Sequence, residues 1–244
     1  MIKLDKFLYR NAGLCFAVFF VFVLWAFWPR YFSDVLGQKE MRFHTHGITL
    51  TLWCILLILQ AYLIRTKHKR AHRLVGKFSY LLVPLIIMTT INLKHFRMQG
   101  SDLLADRPFY SLALSLNGLL AFTLLYGLAI YYRRNPLVHA RYMVSTIFPF
   151  FTPVTDRIIS RHFKPLFQFV PMLDGKPIAP VIGFAMADIL LLILLLWDWR
   201  TNRRLDVFPI ALSLVVLYQA SVLTFYHFPF WRAFGAWFIS LPLS

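Results

Sequence analysis

Between His46 and Arg65 the chain reads GITLTLWCILLILQAYLI, eighteen residues without a charged side chain. A helix of that length rises about 27 Å, close to the ~30 Å hydrocarbon core of a bilayer, where a helix meets all its own backbone groups. The pattern recurs at 11–28, 46–64, 72–93, 108–132, 139–159, 178–197 and 207–225. Pro149 and Pro153 interrupt the fifth stretch, which is expected to kink. The terminal FPFWRAFGAWFISLPLS is aromatic but short and reads as interfacial. The expected fold is all-α: an integral membrane bundle of about seven transmembrane helices forming one domain, 1–244, with a short C-terminal interfacial segment.

Composition supports this reading, with 59% hydrophobic and 15% charged residues. The net charge of +16 does not point to nucleic acid, because its Lys and Arg lie in short loops rather than a basic domain; lipid headgroups explain them. Alternate loops carry 15 and 11 basic residues. The richer set includes the N-terminus, so the N-terminus is expected in the cytoplasm and the C-terminus outside, in a cell membrane such as the bacterial inner membrane. The basic start followed by an apolar run without a small-residue cleavage site reads as an uncleaved signal anchor. Cys15 and Cys54, both inside apolar runs, read as packing residues. No Gly-rich phosphate loop, CxxC pair, His-Glu-x-x-His or GxSxG element is present.

Function must then come from polar residues at or within the spans. His44, His46, His95, His162 and His227 fall on the outer side of this topology, and His68, His72 and His139 on the inner side. Imidazoles from two helices can hold a haem iron. On that reading His72 pairs with His139, and His46 with His95 or His227, in a membrane redox protein carrying haem b or another transition metal. The bland alternative makes these histidines helix caps or headgroup ligands. His68 lies in the basic RTKHKRAHR, where a bound cation would be repelled. His44 and His46 are separated by about 200° around a helix, so only one can face the interior. His46 shares a stripe with Trp53 and Gln60 and is the candidate ligand, while His44 is expected among headgroups.

Asp188 lies near the middle of the sixth stretch, where a charge costs about 3 kcal/mol on insertion scales. It is expected to face the bundle interior and to meet Asn117, Asn92, Arg157 or a histidine. Asp156 and Arg157 are expected to pair with charges on other helices. Gln60, Asn92, Asn117 and Gln219 read as interhelical polar contacts. A second functional class is a metal-dependent hydrolase acting on lipid, with zinc held by His46, His95, His227 and Asp188. A third is a non-enzymatic transporter, sensor or assembly factor, and a protein partner or oligomer stays open.

His72-Arg73-x-x-Gly76, preceded by His46 and Gln60, and His139-x-Arg141-Tyr142-Met143, followed by Arg157, together resemble a bacterial multi-pass family known as domain of unknown function 2306. The resemblance covers 43–157, with Tyr142 where the family usually has Trp. It implies a membrane protein of unassigned activity in which these positions matter.

Overall fold

A computed structural model describes residues 3–243. Its helices are α1 (Leu4–Phe27), α2 (Met41–Arg65), α3 (Lys69–Gly76), α4 (Ser79–Met98), α5 (Arg107–Tyr131), α6 (Pro136–Ser145), α7 (Phe148–His162), α8 (Pro180–Asn202), α9 (Phe208–Thr224) and α10 (Pro229–Ser240). A two-stranded antiparallel hairpin, β1 (Met172–Leu173) and β2 (Lys176–Pro177), lies between α7 and α8. The fold is all-α in character, and six stretches are long and apolar enough to cross a membrane: Leu4–Arg30, Met41–Arg65, Lys69–Met98, Arg107–Tyr131, Pro180–Asn202 and Phe208–His227. Leu14, Val21, Leu120, Ile189 and Leu217 stand exposed along these stretches. So much outward apolar surface is what lipid covers.

Three expected boundaries change. The first span begins at Leu4 rather than 11. The third extends over Lys69–Met98, so His72 lies inside it and Lys94, counted from the sequence as a loop residue, belongs to α4. The fifth is two helices, α6 and α7, each below spanning length, so among the described residues there are six helical stretches of spanning length where seven were expected. Pro149, near the start of α7, has no N–H to donate, yet Thr146 (φ −63°, ψ −17°) and Ile147 (φ −78°, ψ −23°) keep right-handed helical angles. The break is therefore a bend in a helical path.

The chain divides into two compact units, Met1–Thr89 with Leu196–Arg204, and Thr90–Leu195 with Leu205–Ser244. In the first, α1 packs along α2, where a Cβ on Gly13 would touch the Ala61 methyl at 3.5 Å. The first α1 amide, Leu4 N–H, donates to Thr201 Oγ1 at 3.2 Å, and the Phe7 and Trp197 rings sit 4.8 Å apart. Cys54 is buried in this unit, but Cys15 is exposed and is not the packing residue expected.

In the second unit α5 is the spine, in contact with α6, α7, α9 and α10. Tyr218 of α9 lies over Gly118 of α5, where a Cβ would come within 3.2 Å of the phenol ring, and its hydroxyl donates to Leu114 O at 3.3 Å. The hairpin turns at Asp174 and Gly175, both with positive φ. It caps α5: Arg107 N–H donates to Asp174 Oδ2 at 2.8 Å, which satisfies one of the free donors at the helix start.

The C-terminal segment is a helix of 12 residues, about 18 Å long and too short to span. It docks on the start of α5. Trp231 Nε1 donates to Phe109 O at 3.0 Å, and Arg232 pairs with Asp106 at 2.6 Å while lying 4.5 Å above the Phe109 ring. At Gly235 a Cβ would fall 2.6 Å from that buried ring. Gly235→Ala is therefore expected to destabilise the protein by about 1–3 kcal/mol and to expose α10 to protease. Gly127→Ala, at a helical glycine with nothing within 4 Å, is expected to leave stability unchanged or raise it. Thermal unfolding in detergent distinguishes the two.

Candidate functional site

The polar side chains singled out from the sequence fall into separate local arrangements. Around the start of α2, Tyr31 donates to His44 Nδ1 at 3.4 Å and His44 Nε2 donates to Gln38 O at 2.8 Å. Burial pushes the Tyr31 phenol above its usual range, which keeps it a proton donor. His44 thus ties the connecting loop to α2. His46 is half-buried, and its carbonyl accepts from Thr49 Oγ1 at 3.0 Å. Thr49 also meets Thr89 of α4 at 3.2 Å.

Further along α2, Gln60 reaches α3. With its amide turned to satisfy both ends, Gln60 Nε2 donates to His72 Nδ1 and Oε1 accepts from Gly76 N–H at 2.7 Å. The arrangement brings together three of the residues that carry the family resemblance. It also fixes a tautomer: Nδ1 accepts, so Nε2 of His72 bears the proton and presents an N–H instead of a lone pair.

His139 is the opposite case. Its Nδ1 bonds to Ala129 O at 2.8 Å, joining α6 to α5. A carbonyl only accepts, so Nδ1 carries the proton and Nε2 is the basic nitrogen, the form in which histidine binds metals. Two residues on, Arg141 is 1% exposed and donates to Leu137 O at 2.8 Å. Arg157 donates to Pro153 O at 2.6 Å, and it and Asp156 are half-buried on α7.

His95 is a structural donor. It is 4% exposed, and its Nε2 bonds to Ile239 O at 3.2 Å, a carbonyl that also accepts from Gln99 Nε2 at 3.2 Å. Asn92 Nδ2 donates to Leu243 O at 3.1 Å. Asn92 and His95 on α4 and Gln99 just past its end stand three and four residues apart, and together they hold the end of α10 and the residues after it, where free carbonyls need donors. Gln99 Nε2 also lies 3.2 Å from His95 Nε2, so imidazole, amide and carbonyl form one cluster.

Asp188 and Gln219 form the contact between the middles of α8 and α9, with Gln219 Nε2 donating to Asp188 Oδ1 at 2.9 Å. The partner is not among the four expected. Asn117 is engaged elsewhere, donating to Ser221 Oγ at 2.8 Å, and Asn92 is held by the C-terminal segment. His227 is exposed beside the Tyr226 ring. Among the described residues no three His, Cys, Asp or Glu side chains are grouped as a metal site requires, and within the second unit His95, Asp188 and His227 belong to different arrangements.

Sequence reading missed Lys94 and Ser111. Lys94 is 7% exposed, and its Nζ donates to Ser111 Oγ at 2.7 Å, joining α4 to α5. Nothing in the run 94–98, which carries Lys94, His95 and Arg97, marks the lysine as buried.

No protein-family model, curated protein or solved structure matches the chain.

If His95 is a clasp for the C-terminal helix, His95→Ala is expected to cost about 1 kcal/mol, the loss of one of the two donors that Ile239 O accepts from, and to speed proteolysis after α9. His95→Gln, which keeps an N–H donor of similar reach, is expected to restore most of the loss. Equal behaviour of the two variants in a proteolysis time course would argue against the clasp.

Proposed function

We propose that this integral membrane protein works within the bilayer as a transporter or sensor that responds to a proton or cation, with Asp188 as the responding group. The supporting observation is the placement of that carboxyl. It lies about 5 Å from the midpoint of α8, a helix of 23 residues, and is held by one amide. An acidic side chain at that depth costs about 3 kcal/mol on insertion scales. An interhelical hydrogen bond in a membrane returns about 0.6 kcal/mol on average and at most about 1.7 kcal/mol. Helix pairing alone therefore leaves a deficit that a leucine would not incur, and a working role accounts for the acid. Gln219 sets the orientation of one carboxyl oxygen, and the exposed Met186 and Ile189 beside Asp188 put it at the edge of the packed interior.

The basic loops favour a cytoplasmic N-terminus in a bacterial inner membrane. If the bent α6–α7 path crosses as a seventh pass, the C-terminus lies outside. A reporter fused after Leu243, active only outside the cytoplasm, is expected to report activity.

A second reading rests on His139. The Nδ1 bond to Ala129 O sets the tautomer in which Nε2 is the basic nitrogen, the form a haem b or transition-metal site uses. Purified protein with a Soret band that shifts on reduction and disappears in His139→Ala would support this reading. Colourless protein that takes up no added haem excludes it.

For the leading reading, protein reconstituted into vesicles with an internal pH dye is expected to dissipate an imposed proton gradient. Asp188→Asn should lower that rate at least tenfold, and Gln219→Leu should lower it less. An unchanged rate in folded Asp188→Asn would sink the proposal.

A further inference from the structure

The geometry points to a Ser111–Lys94 pair that transfers acyl groups from membrane-lipid esters, with Ser111 as nucleophile and Lys94 as its general base. The two side chains meet within one unit, Lys94 Nζ against Ser111 Oγ at 2.7 Å. Lys94 is almost wholly buried, and among the described residues neither a salt bridge nor any second hydrogen bond engages its amine. A lysine kept for charge pairing would be set against a carboxylate, and one kept for headgroups would reach outward. This lysine does neither. It faces a hydroxyl at the separation from which an amine can take a proton, the arrangement used by serine–lysine hydrolases. Ser111 itself is half-buried rather than enclosed.

Depth selects the substrate. The helix carrying Ser111 has 25 residues, about 37 Å, against a hydrocarbon core of about 30 Å. Centred on that core, it places Ser111, four residues from its start, some 2–3 Å inside the hydrocarbon boundary. Lys94 is four residues from the adjoining end of α4. The ester carbonyls of glycerolipids lie at that boundary, between headgroup and acyl chain. A soluble ester or peptide would have to leave water to reach it.

The chemistry closes with these two groups and the lipid. Ser111 Oγ attacks the ester carbonyl carbon while the free amine of Lys94 takes the hydroxyl proton. As the carbon–oxygen bond of the ester breaks, the Lys94 ammonium returns that proton to the departing alcohol oxygen, leaving an acyl-Ser111 ester and a lysolipid. Water or a second alcohol then attacks the acyl carbon, Lys94 takes its proton and passes it to Ser111 Oγ, and the serine is regenerated. No oxidant, reductant or metal enters the sequence. This activity is independent of the role given to Asp188, and the two can fail separately.

The test uses the full chain in vesicles of phosphatidylethanolamine and phosphatidylglycerol, treated with an alkyl fluorophosphonate. Mass spectrometry of the peptide spanning α5 is expected to find the adduct on Ser111, absent in Ser111→Ala and unchanged in Ser115→Ala. Lys94→Gln can still donate to Ser111 Oγ but has no basic nitrogen, so its labelling rate should fall at least a hundredfold. A merely structural lysine would leave that rate unaltered. Vesicles containing a phospholipid with isotope-labelled acyl chains should yield the matching acyl adduct on Ser111. Failure of the wild-type protein to label at Ser111, or wild-type labelling in folded Lys94→Gln, overturns the proposal. Should Lys94→Gln fail to fold, labelling of the wild-type protein decides.

Discussion

Within a bilayer there is no water to receive a polar group, so a polar group in a span is costly unless another part of the chain meets it. Most are met here, while among the described residues Asn92 Oδ1 and Tyr110 OH are buried without a hydrogen-bond partner. The structure is arranged around that requirement. Asn117 meets Ser221, Tyr218 meets the Leu114 carbonyl, Thr49 meets Thr89, and Gln219 meets Asp188. Each contact ties two helices, because backbone donors within a helix are already used. Apolar packing then fills between the ties, closest where Gly118 admits the Tyr218 ring.

The same requirement explains the ends of the elements. The start of α5 has free donors and is met by Asp174 from the hairpin; the end of α10 has free acceptors and is met by His95 and Gln99. Arg232 completes this corner, binding Asp106 together with the Leu103 and Leu104 carbonyls. A short amphipathic helix that lipid alone would hold loosely is thereby fixed to the bundle. Asp188 and Lys94 stand out against this background, each an ionisable group set against a single neutral partner.

Helices were legible in the sequence because hydropathy is a local property of a run, and six of the expected stretches carry long apolar helices. The Pro149 bend was also legible, since it follows from one missing N–H, whereas the loss of a full-length fifth span depends on how tightly the chain turns at 146–147. The roles of polar residues were far less legible. His95 and its acceptor Ile239 are 144 positions apart, and a histidine at a span end looks the same in sequence whether it caps a carbonyl or ligates iron. An acid in mid-span calls for a partner, but the sequence does not single out Gln219, which lies 31 positions from Asp188, as the side chain that supplies it. Lys94 was counted among loop charges, and nothing local distinguishes a lysine that reaches a headgroup from one that turns inward to a serine.

The most direct test of the account is a double-mutant cycle on the contact at the middle of the bilayer, comparing unfolding of Asp188→Leu, Gln219→Leu and the double variant in detergent. If the two side chains satisfy each other, each single change strands a polar group and the double change does not, giving a coupling of about 0.6–1.7 kcal/mol. Single effects that simply add in the double variant would contradict it.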